Sequence, residues 1–216
     1  AIVWQCRRGQ KICENINTTS HNAKIIKNIT GLKLDTYFPA SKLSWLIKNN
    51  RNLKKKLKNG SALFGTIDTY LIYRLTNMKS YSTDFTNASR TLFFDNKKLK
   101  WDKTLLKLFN LDLKNLPNIK ESSSIFGETN FEGILKKKIP ISGVIGDSQS
   151  AMFANQCLLK GDTKITLGTG ASILTNIDNN FVVKDNLLTT LSYVHKGKPF
   201  YSYECLINYA GATISW

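Results

Sequence analysis

Apolar residues in the first two thirds of the chain recur mostly at the spacing of an α-helix. This pattern predicts helices over residues 5–16, from Pro39 onwards, and over residues 66–76. The last of these helices has one apolar face, formed by Ile67, Leu71, Ile72 and Leu75. Two helix ends are also marked, because Thr30-Gly31-Leu32 predicts a helix exit with a turn and Asp102 is a predicted N-cap for residues 105–109.

After residue 138 the pattern changes to short apolar runs, which are typical of β-strands. Residues 139–145 predict a buried strand that ends in Gly146-Asp147-Ser148, and a helix up to Cys157 follows it. Two pairs of strands are predicted further on, at residues 164–167 with 172–175 and at residues 188–194 with 200–204. The chain therefore has a mixed α/β order. The change of pattern near residues 157–161 predicts a domain boundary, which divides the chain into residues 1–157 and 158–216.

Composition supports a folded core and raises the question of a nucleic-acid partner. The 216 residues are 42% hydrophobic and carry a formal net charge of +16, from 31 Lys and Arg against 15 Asp and Glu. Only five of the basic residues are Arg, the side chain best suited to phosphate and guanine. The densest Lys run, residues 54–58, has the pattern of a solvated helix face. Coding bias towards Lys, Asn and Ile accounts for the charge, and we expect no nucleic-acid partner.

Other classes of protein are excluded by what the sequence does not contain. No run of about 18 uncharged apolar residues is present, so we expect no membrane span. The four cysteines form no C-x-x-C pair and only two His are present, so we expect neither a zinc site nor a disulfide framework. Reduced, buried thiols in a cytoplasmic protein fit this usage better.

Asp147 is the first candidate for chemistry. It follows a predicted strand and a glycine at the start of a helix, and ligands of open α/β sheets bind at the carboxyl ends of strands. A carboxylate at this place accepts a proton from a substrate hydroxyl or, alternatively, only caps the helix that begins at Ser148. The local pattern leaves both roles open.

Gly168-Thr169-Gly170 is the second candidate. Glycines in a tight turn let backbone N–H groups approach a phosphate, although an ordinary hairpin turn has the same pattern and no Walker sequence follows. A third set consists of Trp4, Tyr37 and Tyr203-Glu204, for which packing in the core or at a rim is the simpler interpretation.

Several segments in order resemble the FGGY family of carbohydrate kinases, and within it the glycerol kinases. Residues 1–8 resemble A-I-V-W-Q-x-R-R, residues 64–72 resemble F-G-T-x-D-T-W-L-I, and residues 83–91 resemble T-D-x-T-N-A-S-R-T. Residues 30–38, 146–149, 167–170 and 187–190 resemble further segments of the same family. The chain begins without Met and stops at Trp216 within a predicted helix, so we expect an internal portion of a longer kinase that is inactive by itself.

The resemblance implies an actin-like (ribonuclease H-like) ATPase fold with two domains, a polyol-binding and a nucleotide-binding domain, both incomplete in this chain. It implies ATP-dependent phosphorylation of glycerol to glycerol 3-phosphate, with Mg²⁺, by a cytoplasmic enzyme that is a homo-oligomer at full length. The implied roles are catalytic base for Asp147, glycerol binding for Trp4, Tyr37, Asp147 and Ser148, and ATP phosphate binding for Gly168, Thr169 and Gly170. No protein-held metal ion is implied.

Two positions depart from the family pattern. Ser148 stands where the family has Gln, and Ser172 stands where it has an aromatic residue that closes the glycerol site. These departures leave two alternatives to a glycerol kinase open: another FGGY sugar or polyol kinase, and an inactive descendant of a decaying gene.

Overall fold

A computed structural model describes residues 2–207 and 209–216, without the side chain of Leu113. The helices are α1 (Gln10–Asn17), α2 (Ser20–Thr30), α3 (Pro39–Asn49), α4 (Arg51–Lys58), α5 (Ile67–Leu75), α6 (Phe85–Ser89), α7 (Lys103–Leu108), α8 (Asp147–Ala154) and α9 (Gly211–Ser215). A short 3₁₀ helix covers Leu113–Asn115. The strands are β1 (Ser82–Asp84), β2 (Phe94–Asp95), β3 (Lys100–Trp101), β4 (Asn118–Lys120), β5 (Gly127–Thr129), β6 (Ile139–Ile141), β7 (Thr163–Leu167), β8 (Ala171–Asp178), β9 (Leu188–His195) and β10 (Lys198–Ile207).

The second part of the chain forms a four-stranded antiparallel sheet in the order β7-β8-β10-β9. Gly168-Thr169-Gly170 joins β7 to β8, as the sequence predicts, and Lys196-Gly197 joins β9 to β10. In the first part of the chain, three small sheets each have two strands: β1 with β4 in parallel, and β2 with β3 and β5 with β6 antiparallel.

The main hydrophobic core lies among the helices of the first part. Ile26, Leu32, Phe93 and Leu105 are fully buried in it, together with Phe38 at 1% exposure. The four-stranded sheet packs against this part through β9 and β10, where Leu191, Val194 and Tyr201 contact Phe85 and Leu99. The two parts therefore bury apolar surface against each other, which is the main source of stabilisation in such contacts.

Several predicted helix ends and turns are confirmed. Pro39 is the first residue of α3, the Asp102 carboxylate accepts a hydrogen bond from Leu105 N at 2.9 Å, and Gly31 ends α2 with a left-handed φ of 73°. The Lys-rich helix α4 is mostly exposed, with Leu57 as its buried residue.

The predicted start of the first helix is wrong. Residues 5–9 consist of turns and irregular backbone, and α1 begins only at Gln10 after Gly9. A side chain at Gly9 would collide with Ser41, so the chain approaches α3 closely at that point before it becomes helical.

The predicted apolar face of α5 is confirmed at Ile72 but is wrong at Ile67 and Leu71. Ile67 and Leu71 are 66% and 49% exposed, whereas Asp68, Thr69 and Ile72 are buried. Polar residues can occupy the buried face because they are hydrogen-bonded there, and Thr83 Oγ1 donates to Asp68 Oδ2 at 2.6 Å.

The strand predicted for residues 139–145 is shorter and more exposed than expected. Only β6 (Ile139–Ile141) is a strand, and Ile139 is 44% exposed. Among the residues that the structure describes, β6 pairs only with β5, and the amides that follow it bond to loops and side chains instead of a second strand.

Candidate active site

A cavity of about 780 Å³ brings most of the predicted site residues together. Trp4, Tyr37, Asp147, Ser148, Gly170 and Ser172 all line it. These residues come from an N-terminal turn, the loop before α3, the start of α8 and the start of β8. Segments that are far apart in the sequence therefore form the walls of one site, the arrangement expected of a binding pocket.

Asp147 is the first residue of α8, and Gly146 rather than Asp147 is the N-cap of that helix. The Asp147 Oδ1 atom accepts a hydrogen bond from the neighbouring Ser148 N at 2.7 Å. The residue is exposed to the cavity. Asp147 is therefore not the N-cap residue, although its carboxylate does bond one amide of the first helical turn. Its exposed position also leaves the carboxylate accessible to a ligand in the cavity.

Trp4 and Tyr37 form one wall of the cavity. Their ring centroids lie 5.6 Å apart with the planes inclined at 49°. Trp4 is 51% exposed, so a large apolar surface faces the open site. Beneath both residues, the buried ammonium of Lys42 donates to Trp4 O at 3.3 Å and to Tyr37 O at 2.8 Å.

The Gly168-Thr169-Gly170 turn lies at the edge of the site. Gly170 lines the cavity, whereas Gly168 and Thr169 are outside its lining. The carbonyls of Gly168 and Thr169 accept hydrogen bonds from the amides of Gly211 and Ala210, both at 2.9 Å. The turn is thereby fixed against the start of α9.

Three charged residues of the cavity received no role from the sequence: Asp68, Arg90 and Glu204. Asp68 and Arg90 lie within the family-like segments 64–72 and 83–91, so those segments contained a signal. The sequence indicated packing for both Tyr203 and Glu204. The two residues are neighbours on β10, so their side chains point to opposite faces of the sheet. Glu204 faces the cavity, while Tyr203 contacts Lys184 in a separate cavity.

Three further features of the described residues concern metal binding, thiols and membrane spans. Among them there is no group of three His, Cys, Asp or Glu side chains that could hold a metal ion. All four cysteines are free thiols, and Cys13 and Cys157 are buried. Within the same residues, no helix is both long enough and apolar enough to cross a bilayer.

Comparison with known proteins identifies the class. Residues 1–154 match the N-terminal domain of the FGGY family of carbohydrate kinases. This match covers well over half of the chain, and the chain belongs to that family. The α/β fold, of the actin-like ATPase type that these kinases share, is thereby confirmed.

Within the family, the chain is similar to glycerol kinases. It is 45% identical to the glycerol kinase of Brachyspira hyodysenteriae and 42% identical to that of Fusobacterium nucleatum, over 217 residues in both cases. All of the chain is covered, but it spans only 43% and 44% of those proteins. A crystal structure of Plasmodium falciparum glycerol kinase with ADP matches the whole chain and 43% of its own, with a TM-score of 0.93 and 38% identity. A xylulose kinase from Lactobacillus acidophilus, at 23% identity and a TM-score of 0.78, shares the fold.

Proposed function

We propose that this chain is the part of a glycerol kinase that binds the polyol and carries the catalytic base. The observation that carries the proposal is the exposed carboxylate of Asp147, at the start of α8 in a cavity that Trp4 and Tyr37 also line. Identities of 38–45% to glycerol kinases along the whole chain support glycerol as the substrate.

In this proposal Asp147 acts as the general base. Its carboxylate accepts the proton of the attacking glycerol hydroxyl, and the hydroxyl oxygen then forms a bond to the γ-phosphorus of ATP while the bond to the leaving ADP breaks. The Trp4 ring packs against the carbons of glycerol, and Tyr37 and Ser148 bind its hydroxyls. In this proposal the cavity holds glycerol beside Asp147, and such positioning supplies a large part of the rate in phosphoryl transfer.

ATP and Mg²⁺ are the implied partners of this reaction. Among the described residues no group of three His, Cys, Asp or Glu side chains could hold a metal ion. Mg²⁺ in kinase sites is bound largely through the phosphates of the nucleotide. Bound in this way, Mg²⁺ neutralises charge that develops on the phosphates. The turn of Gly168, Thr169 and Gly170 contributes backbone N–H groups to the phosphates.

Further parts of the proposal concern the complete protein. Residues 1–157 belong to the polyol-binding domain and residues 158–216 begin the nucleotide-binding domain. The protein works in the cytoplasm as a homo-oligomer and has no nucleic-acid partner.

Another FGGY sugar or polyol kinase is the second candidate, and one observation favours it. Ser148 and Ser172, both small, line a cavity of about 780 Å³. Such a wall leaves room for a substrate longer than a three-carbon polyol.

The test is a coupled ADP-release assay on the protein expressed from its complete reading frame, with glycerol, xylulose and gluconate as substrates. We expect glycerol to give the highest kcat/KM, and Asp147→Asn to lower kcat by about 10²–10⁴-fold. Glu128→Gln, at the exposed position of β5, is the matched control and should keep full activity. A preference for xylulose would favour the second candidate, and full activity of Asp147→Asn would refute the assignment of the base.

A further inference from the structure

The backbone that leads into Asp147 is held by a buried polar network. Gly146 N donates to Thr86 Oγ1 at 2.7 Å, and Val144 N donates to the carbonyl of Ser122 at 2.9 Å. Both anchors belong to segments that are distant in sequence, so the position of residues 144–147 depends on tertiary contacts rather than on a local element.

Asp84 is the centre of this network. Its carboxylate is fully buried and accepts five hydrogen bonds: from Thr86 N at 3.0 Å, Thr86 Oγ1 at 2.6 Å, Asn87 N at 2.9 Å, Asn87 Nδ2 at 2.7 Å and Ser122 Oγ at 2.8 Å. A buried carboxylate is costly unless hydrogen bonds satisfy it. Here they do so, and in the process they tie α6 to the loop at Ser122.

The Gly146 amide determines which way the Thr86 hydroxyl points. A backbone N–H only donates, so the Thr86 oxygen accepts from Gly146. The hydroxyl proton is then directed to Asp84 Oδ2, to which the hydroxyl donates. The chain of contacts thus runs from Asp84 through Thr86 to the residue that immediately precedes Asp147.

Gly146 lies close to the Thr86 hydroxyl. A Cβ at this position would lie 3.4 Å from Thr86 Oγ1 and 2.6 Å from Oε1 of the flexible Gln149 side chain. The backbone therefore passes beside Thr86 at the point where α8 begins.

We propose that Thr86, hydrogen-bonded to Asp84, is a positioning residue for Asp147. Its hydroxyl fixes the Gly146 amide and with it the place from which the Asp147 carboxylate reaches the substrate. This inference rests on the proposed role of Asp147 as a base. A displacement of about 1 Å at a reacting group costs roughly 10²-fold in rate, so the hydroxyl of Thr86 should matter for kcat although it takes no part in the chemistry.

The test compares Thr86→Val, Thr86→Ser and a matched control in the protein expressed from its complete reading frame. Valine keeps the shape and removes the hydroxyl, and serine restores the hydroxyl. The control is Thr30→Val, because Thr30 is also fully buried, donates to Ile26 O at 2.7 Å and accepts from Leu32 N at 3.0 Å, but lies outside the cavity lining. Circular dichroism and urea unfolding are measured beside kcat and KM for glycerol and ATP.

We expect Thr86→Val to lower kcat by about 10- to 100-fold with KM for ATP within about twofold. Thr86→Ser should recover most of the activity, and Thr30→Val should lose stability but keep kcat. A folded Thr86→Val protein with wild-type kcat would overturn the inference, and so would an equal loss of kcat in Thr30→Val. If Thr86→Val does not fold, Thr86→Ala decides, because it removes the same hydroxyl without a branched side chain, and a wild-type kcat would then overturn the inference. An inactive wild-type protein would instead refute the proposed function on which the inference rests.

Discussion

The guanidinium of Arg90 and the carboxylate of Glu204 form a two-pronged ion pair across 114 positions of sequence. Nη1 contacts Oε2, and Nη2 donates to Oε1 at 3.3 Å. The side chains are only 22% and 4% exposed, and the Arg90 guanidinium also lies 5.2 Å from the centroid of the Phe38 ring. Burial opposes the charge of Arg90, but Glu204 more than offsets this effect and holds the Arg90 pKa above its usual value.

We expect the loss of one partner of this pair to destabilise the protein more than the loss of both partners together. We expect Glu204→Leu alone to lower the free energy of unfolding by about 3–5 kcal/mol, because it leaves Arg90 charged and unpaired in a buried place. The double variant Arg90→Met with Glu204→Leu should lie closer to the wild type, since no buried charge then remains. Urea unfolding of the wild type, both single variants and the double variant gives the coupling energy. Additive losses would contradict the prediction.

Gly31 should be intolerant of a side chain for two independent reasons. Its φ of 73° is in the left-handed region, and an added Cβ would collide with the backbone carbonyl of Thr189. Gly31 O also accepts a hydrogen bond from Thr189 N at 2.8 Å, so a shift of the backbone would weaken the contact with β9.

The matched control is Gly60, which has a φ of 80° and open space around the position of a Cβ. We expect Gly60→Ala to cost about 1 kcal/mol, from backbone strain alone. Gly31→Ala should cost about 2 kcal/mol more, because the collision adds to the strain. Thermal or urea unfolding measures the stability of both variants. Equal losses of stability would show that the Thr189 carbonyl moves away from the added Cβ at no cost in free energy.

Local features of the fold could be predicted from the sequence where one residue type decides the geometry. Pro39 at the start of α3, Gly31 at the end of α2 and the turn at Gly168-Thr169-Gly170 are examples. The exact ends of some helices and strands, and which face of a helix is buried, could not be predicted in the same way. Ile67 and Leu71 were predicted to lie on the apolar face of a helix, but they line the cavity beside Asp68. Tertiary hydrogen bonds let polar residues occupy the buried face of α5 instead.

The same distinction between local and tertiary features applies to the candidate site. Asp147 was singled out by its place after a strand and a glycine, and the family-like segments supplied its role and those of Tyr37 and Trp4. The partnership of Arg90 with Glu204, and that of Thr86 with Gly146, join residues 114 and 60 positions apart. No local pattern in the sequence indicates such pairs, so they can be recognised only in the folded structure.

Asp68 should make stability depend on pH. Burial raises the pKa of its carboxyl, the charge of Asp84 adds to this effect, and hydrogen bonds from Thr66 and Thr83 oppose it. The folded state therefore holds the Asp68 proton more tightly than the unfolded state. The contribution of this group to stability is greatest below the ordinary carboxyl pKa and is lost as pH rises through the raised value.

Asp68→Asn removes this titration and keeps a side chain that can hydrogen-bond. Relative to the wild type, the variant should gain stability as pH rises from the ordinary carboxyl range through the raised pKa, and the difference should then stay constant. Urea unfolding between pH 4 and pH 8 measures it, with the exposed Asp112→Asn as control. Parallel profiles for the wild type and Asp68→Asn would contradict the prediction.

Lys42 should support the aromatic wall of the site from below. Its side chain is buried, with the residue 5% exposed, and burial lowers the pKa of its ammonium. The ammonium bridges the carbonyls of Trp4 and Tyr37 at 3.3 Å and 2.8 Å, so it fixes the backbone of the two rings that pack 5.6 Å apart. Methionine at this position would fill the space of the stem but would leave both carbonyls without this donor.

We expect Lys42→Met to lower the free energy of unfolding by about 2 kcal/mol, as is usual for hydrogen bonds to a charged group. If Trp4 and Tyr37 bind glycerol, KM for glycerol should rise roughly threefold to tenfold, equivalent to about 1 kcal/mol, while kcat changes less. Lys48→Met is the matched control, because Lys48 lies on the same helix α3 and is exposed. Glycerol-dependent kinetics and urea unfolding of both variants test the prediction, and identical behaviour of Lys42→Met and Lys48→Met would show that the bridge does not support the site.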